Sequence, residues 1–468
     1  MKVKTNSKMN EITRLLDQLC KHASVVTLLG MFTVATAATT QQVINVNNIE
    51  NLYAEVNNPA NVDTVIVLAS GNYVLTPANP SGNPRPNGGR LVLQPGMALI
   101  GQNEYVDSDG DGQWDPRDDN RDGVPDSDPA RGLVFALPAS ETIIDASKLV
   151  SGGQGAVRMG LNNRVEKLTV MKTGGVGAGI DVNLLPTSGG MRAEIRDNVI
   201  EDGQRGIRLQ HSGIHDVDSS AVLERNIVRR HTGRFGFAAQ ITQGGSTNCS
   251  WDLTARNNLF YANRFGLFVA GNASTNVQAR ILSMENVYRE NQAGINLFAG
   301  LDNFNLNGQP QGGNGNNVHL TSIGDGIFDN EEIDNIGGWG GGVVAIAGVT
   351  TDSNANPSSN NDVSLEFINT SWLRNFEGTT RRDLLVYGAA AIGGTPGTND
   401  TVSVLIRKGT SDGMANAFNV ANSAPEDLTH TDQVTIVGSN VALTRTDVGI
   451  SLPEGFSSLA PALQDDSN

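Results

Sequence analysis

Gly179-Ile180-Asp181-Val182, Gly206-Ile207-Arg208-Leu209, Gly236-Phe237-Ala238-Ala239, Gly266-Leu267-Phe268-Val269 and Gly294-Ile295-Asn296-Leu297 repeat one pattern, a glycine followed by alternating side chains. The glycines are spaced by 27, 30, 30 and 28 residues. Between them returns an Asn followed by an apolar residue: Asn198-Val199, Asn226-Ile227, Asn258-Leu259 and Asn286-Val287. A recurrence of this length, built of short alternating runs, is the mark of a solenoid. No interval leaves room for a long amphipathic helix, which argues against a βαβ chain. The expected fold is all-β, a right-handed parallel β-helix with two or three short strands per coil.

Because strand side chains alternate, the pattern sorts residues by face. The first and third positions after each glycine are expected to point inward: Ile207 and Leu209, Phe237 and Ala239, Leu267 and Val269, Ile295 and Leu297. The second and fourth point out. This gives one outer column of Asp181, Arg208, Ala238, Phe268 and Asn296, and a second of Asn183, Gln210, Gln240, Ala270 and Phe298. Two further columns, Glu201-Arg229-Tyr261-Arg289 and Asp197-Arg225-Asn257-Glu285, alternate in charge or are neutral and read as surface charge ladders. The recurring Asn residues are expected at turns, where Asn tolerates left-handed backbone and satisfies neighbouring amides.

The pattern extends in both directions. Strands are expected at Asp63–Leu68, Asn72–Leu75, Leu91–Leu93, Met97–Ile100, Thr142–Ile144, Ala156–Met159 and Val165–Met171. After Gly300 they continue, with longer Gly/Asn-rich excursions, to Val402–Ile406, Val434–Val437 and Asn440–Leu443. Upstream, Ile49, Leu52, Tyr53 and Val56 are spaced for a short amphipathic helix that starts near Asn47 or Asn48 and caps the open end. One β-helix domain over residues 39–457 absorbs most of the chain, with a mobile tail over 458–468.

Residues 1–38 read as an export signal. Lys2, Lys4, Lys8, Arg14 and Lys21 precede or flank the apolar run Ala23–Ala35, and Ala35-Thr36-Ala37 is a small-residue cleavage pattern. The apolar run is too short to span a bilayer, and no later stretch would. The expected location is therefore extracellular or in the cell envelope. Net charge is −16 for the whole chain; removing those five basic residues with Glu11 and Asp17 leaves −19. Such a surface repels nucleic acid and anionic lipid and favours cations. Cys20 leaves with the signal and Cys249 has no partner, so no disulfide supports the exported chain.

One insertion breaks the strand pattern. In Asp107-Ser108-Asp109-Gly110-Asp111-Gly112-Gln113-Trp114-Asp115-Pro116-Arg117-Asp118, oxygen ligands fall at positions 1, 3, 5, 9 and 12, glycine at 6 and a backbone carbonyl, Gln113, at 7. That is the spacing of a Ca²⁺ loop. A second copy overlaps it through Asp118, Asn120, Asp122 and Asp126, with Asp128 close behind. Nine Asp within residues 107–128 would repel one another without a divalent cation. The expected role of the Ca²⁺ is a structural staple.

The order of helix, apolar strand, Gly and Tyr strand in Gln42–Leu75, together with the repeats, resembles the pectate-lyase-like superfamily of secreted β-helix polysaccharide lyases. The acidic insertion is similar to thrombospondin type 3 segments, without their cysteine and with Asp118 in place of the usual Glu. The likeness implies a polysaccharide or cell-surface glycan as partner. Asp181, Asn183, Gln210, Gln240, Phe268, Asn296 and Phe298 would then bind sugar. If the chain is an enzyme, a β-elimination would use Arg208 to stabilise the enolate-like intermediate, His211 or His215 as base, and Asp216 to orient a His. Arg208 could equally pair with Asp181, leaving the His residues as loop surface. Missing are the paired-Asp, Gly-His-Gly and Arg-Ile-Lys motifs of β-helix polygalacturonases, the Tyr–Asp–His cluster of alginate epimerases, HExxH, GxSxG and a phosphate loop. Two readings follow: a lyase-like protein that binds and cleaves an acidic polysaccharide, and a non-catalytic surface protein that only binds. Oligomeric state is not legible.

Overall fold

The computed structural model describes residues 41–102, 127–128, 133–134, 142–150, 152–173, 177–184, 189–232, 236–302, 311–332, 340–350, 355–377, 380–391, 397–411, 418–423 and 433–443. The chain divides into Met1–Gln42 and Val43–Asn468. The expected export signal, the acidic insertion apart from Ser127–Asp128, and the tail from residue 458 lie outside the described residues.

The second unit is a right-handed parallel β-helix whose coils have three strands. In one coil Arg192–Arg196, Val199–Glu201 and Arg205–Ser212 follow one another, and the next coil begins at Asp218–Glu224. Each strand pairs in parallel with its counterpart one coil on. In the first ladder Ile195 faces Leu223, which faces Ala255; in the second Ile200 faces Val228, which faces Phe260. The third ladder runs from Leu91–Val92 through Arg205–Ser212 to Phe418–Ser423, ten strands in all among the described residues. The twelve-residue strand Asp362–Leu373 pairs with both Asn317–Ile323 and Gly326–Phe328, fusing the first two ladders.

The corners explain how so short a segment turns. Asp197, Arg225, Asn257 and Glu285 all have positive φ, between 53° and 58° except for Arg225 at 52°, and stack at the corner between the first two ladders. Asp202, Arg230, Ala262, Glu290, Asp329 and Arg374 do the same after the second ladder, and Asp216, Asn248, Asn276, Gly315 and Asn360 after the third. One left-handed residue bends the path into the next ladder at a cost of roughly 1–2 kcal/mol for most side chains. That cost is offset because the corner N–H still bonds to the next coil, as in Asp197 N to Glu224 O at 3.0 Å and Asn257 N to Met284 O at 3.0 Å.

The recurring Asn residues are thus not the left-handed positions; each sits one residue later, with its side chain turned in. Asn258 Nδ2 donates to Leu223 O (2.9 Å) and to Asn286 Oδ1 (2.8 Å), while its own Oδ1 accepts from the N–H and the Nδ2 of Asn226, both at 2.9 Å. The file Asn198-Asn226-Asn258-Asn286 ends on Asp325 Oδ1, which accepts from Asn286 N at 2.7 Å. A second file, Asn263-Asn291-Asn330-Asn375, ends on Asp383, and a third, Asn316-Asn361, ends on Asp400. Buried amides with no bulk water to turn to are satisfied by these files.

Inward positions form one apolar core from Val46 to Ile406. Helix α1 (Ile49–Val56) is capped by Asn48, whose side chain accepts from Asn51 N, and buries Leu52, Tyr53 and Val56 against that core. Arg85 lies 4.0 Å over the Tyr53 ring and bonds Glu50 through two nitrogens, which fixes the cap. The expected cap helix and charge ladders are found: Arg229 Nε meets Glu201 Oε2 at 2.8 Å and Arg225 Nε meets Asp197 Oδ1 at 2.6 Å.

The sequence-based register fails at one coil. Phe237 pairs with Arg205 and Phe265, not with Ile207, so the coil is offset by two residues. Ala238 is inside the core and Phe237 is outside, the reverse of the expected facing. The step from His231 to Phe237 carries extra residues, and the glycine at 236 no longer marks the corner as Gly206 and Gly266 do. The expected strand Val165–Met171 is two, Asn163–Glu166 and Thr169–Met171, with Lys167 left-handed between them.

Replacing Asn258 by Ala would orphan two donors of Asn226 and should cost about 3 kcal/mol of unfolding free energy. Asp252→Ala, which breaks a solvent-exposed pair with Arg280, should cost less than about 0.5 kcal/mol. Urea titration of both variants checks the contrast.

Candidate functional site

The outer face of the third ladder carries the candidate residues, in columns set by its register. One column is Val92, Arg158, Asp181, Arg208, Gln240, Phe268, Asn296, Val344 and Leu385. The next includes Gln210, Thr242, Ala270, Phe298, Ile346 and Tyr387. Gln240 therefore belongs with Arg208, not with Gln210 as expected, because of the two-residue offset.

The face divides into two chemically distinct halves. Toward the C-terminal coils, Phe237, Phe265, Phe268, Phe298, Val344, Ile346 and Leu385 form a second buried apolar cluster. Phe237 and Phe268 rings are 4.5 Å apart, and Phe268 and Phe298 meet edge to face at 5.5 Å. Asn296 and Phe298 are fully buried and Phe268 is 8% exposed, so these three offer no open sugar platform.

The N-terminal coils carry a cationic network instead. Arg208 Nε donates to Asp181 Oδ1 (2.9 Å) and Nη2 to Asp181 Oδ2 (2.5 Å) and to Gly153 O. Asp181 Oδ2 also accepts from Gly155 N (3.0 Å) and Asn183 Nδ2 (2.8 Å). Gly155 has to be glycine here: a Cβ would lie 2.4 Å from Asp181 Cβ. With four hydrogen bonds on a fully buried carboxylate, Asp181 is a brace for Arg208, closed off from solvent and so from a substrate proton.

Around this pair lie three more arginines, none of them among the site residues expected from the sequence, although Arg205 stands in the cationic stretch 205–234. Arg158 Nε donates to Asn183 Oδ1 (3.1 Å) and its Nη1 to Gln154 Oε1 (3.0 Å). Arg205 Nε donates to Gln240 Oε1 (2.8 Å) and Nη1 to Gly177 O (3.1 Å). Arg90 Nη2 donates to Val150 O (3.0 Å). Burial lowers the pKa of Arg158; Asp181 opposes this, while Arg208 and Arg90 reinforce it. Burial, with help from Arg208, presses Arg205 down to about 10, so it stays charged at neutral pH. Arg158 was within reach of the sequence: Val157-Arg158-Met159 repeats the in-out-in pattern of Ile180-Asp181-Val182 one coil earlier.

The proposed base does not stand beside Arg208. His211 lies on the opposite face of the strand, fully buried, stacked on Trp251 at 4.9 Å. Its Nδ1–H points to Gln243 Oε1 (3.3 Å), an atom fixed as acceptor because Gln243 Nε2 donates to Gln278 O, and its Nε2 accepts from Ser219 Oγ (2.8 Å). His215 and Asp216 are exposed at the corner beyond the strand, where Asp216 Oδ1 accepts from Asn248 Nδ2 (3.0 Å) and not from a His. Of the expected metal ligands, only Asp128 is described, in the short strand Ser127–Asp128; Asp107 to Asp126 lie outside the described residues. Among the described residues, no three His, Cys, Asp or Glu are grouped to hold a metal, and no helix is long and apolar enough to cross a membrane.

A second buried histidine sits in an Asn file. His231 N donates to Asn263 Oδ1 (3.1 Å), and Nε2–H reaches Ile200 O (3.2 Å) as Asn263 Nδ2 reaches Val228 O (3.0 Å) one coil on. Burial pushes both His211 and His231 down to about 4. Folded, they stay neutral; unfolded, they take up protons below about 6.5. Their contribution is therefore complete above pH 6.5 and is lost as pH falls toward 4, by up to roughly 3 kcal/mol per ring. His231→Asn, which continues the file with a non-titrating amide, should flatten the fall in urea midpoint between pH 7 and pH 4.5; an unchanged slope would contradict this account.

No protein-family model matches the chain, and no curated protein sequence matches it. Among solved structures the chain is similar to the A-module of the Azotobacter vinelandii mannuronan C-5 epimerase AlgE4, at 14% identity and a TM-score of 0.40, covering 86% of this chain and 92% of that one. It is also similar to the AlgE6 A-module from the same organism, at 16% identity and a TM-score of 0.39, covering 86% and 90%. At such identities and scores neither similarity carries a residue or an activity over to this chain.

Proposed function

We propose that this is an exported β-helix protein that binds an acidic extracellular polysaccharide along the outer face of its third ladder. The observation that carries the reading is a cationic, amide-lined surface on a chain of net charge −16: Arg158, Arg205 and Arg208 with Asn183, Gln154 and Gln210, on consecutive coils of one rigid sheet. Coils rise about 4.8 Å apart, so these groups form a linear array suited to an extended chain of sugars. Guanidinium forks recognise oxyanions and planar amides recognise hydroxyls.

Binding is favoured over cleavage. Arg208 is committed to Asp181, and His211 faces the interior. Incubation with a panel of acidic and neutral polysaccharides tests both readings: binding of an acidic polymer by calorimetry with no rise in ultraviolet absorbance from an unsaturated uronate is expected. An absorbance rise abolished by Arg208→Ala or His211→Ala would restore the lyase reading, and failure to bind any acidic polymer would remove the present one.

The acidic segment 107–128 is proposed as a Ca²⁺ staple on its ligand spacing and charge density alone. Chelation should lower the melting temperature and added Ca²⁺ restore it; a melting curve indifferent to both would exclude the staple.

A further inference from the structure

Resting on the reading that an acidic glycan lies on this face, we propose that Arg158, backed by Arg90, forms a subsite for one oxyanion substituent of the glycan, a carboxylate or a sulfate ester. Arg158 lies within electrostatic reach of Arg90 and Arg208, and the carboxylate within its reach is Asp181. Asp181 is engaged by Arg208, Gly155 and Asn183. Arg158 is held only sideways, by the neutral oxygens of Asn183 and Gln154. Guanidinium groups drawn out of water need an anionic partner, and one carboxylate among three of them leaves an excess of positive charge.

Arg90 supplies an independent sign. It is 7% exposed, and its Nε has no hydrogen-bond partner. A buried charged donor left unsatisfied marks a place where a ligand atom or a shared anion would be stabilising. The chain is also arranged to leave access. The loop Gly152-Gly153-Gln154-Gly155 passes over the arginines: a Cβ on Gly152 would meet Arg90 Nη2 at 2.8 Å, whereas one on Gly153 would meet nothing within 4 Å. Gly152, Gly153 and Gln154 are exposed and Arg158 is half-buried, so an oxyanion can reach Arg158 from solvent beside the Gln154 amide. Arg208 then acts as a positioning residue, keeping Asp181 away from the incoming anion.

The test uses the full chain and calorimetric titration with three oligosaccharides of equal length: a uronate, a sulfated and a neutral one. Arg158→Gln should weaken the anionic ligands roughly tenfold or more, and Arg158→Lys, which keeps charge but loses the fork, should weaken them less. Arg280→Gln, on the outer face of the first ladder, should leave binding unchanged. Whichever anionic arm binds more tightly identifies the substituent. A second measurement needs no glycan: sulfate or acetate should raise the melting temperature of the native chain and not that of Arg158→Gln. If an acidic glycan binds the native chain and Arg158→Gln equally, the subsite is wrong while the polysaccharide reading stands. If no glycan binds but the small anions stabilise only the native chain, the anion site stands and the polysaccharide reading fails. If neither occurs, the subsite is overturned.

Discussion

The structure depends on closure in register: each circuit of the chain must bring its backbone back to hydrogen-bonding distance of the circuit before it. Three straight segments joined by single left-handed residues meet that demand. The corner conformation is locally unfavourable for Lys167, Arg225 and Glu285, yet the same residues keep a ladder bond, so the geometry persists with different side chains at the corner. This frees the corner and outward columns to vary in sequence, and charge alternation between coils fills several of them.

The outer face of the third ladder follows from the same rule. Residues stacked along a column stand next to one another, so polar neighbours recruit polar neighbours and apolar ones recruit apolar ones. Asp181 and Arg208 are stable there because they adjoin each other; Phe268 and Phe298 are buried because Phe237, Val344 and Ile346 surround them. Removing either member of the Asp181–Arg208 pair would leave the other buried without a counter-charge, which ties the integrity of the candidate surface to the folding of two coils.

Much of this was legible from the repeat. The 27–30-residue spacing and the alternation after each glycine gave the solenoid, the cap at Ile49–Val56, the charge columns and the facing of Asp181 and Arg208. What escaped it has physical causes. The repeat is anchored on glycine, but in this coil Ala238 stands where Gly206 and Gly266 stand in theirs, so the register is offset by two. Asn198 and its successors were assigned the left-handed backbone that the preceding residue adopts, since Asn favours both roles. Facing also says nothing of cover: Phe298 points out of the coil and is still buried. His211 is placed at a loop by the sequence pattern, but the strand runs on to Ser212, and an odd offset of three residues from Arg208 puts it on the opposite side.

The amide files inside the corners have a direction. Every Asn passes hydrogen atoms toward the C-terminal end, and the last member of each file, Asp325, Asp383 or Asp400, has only oxygen to offer. A carboxylate is a natural stop, since it receives without needing to give. The solenoid therefore has an intrinsic arrow. A whole circuit duplicated between two Asn coils would splice in with every amide answered, whereas a chain cut short at an Asn would end on donors pointing into nothing.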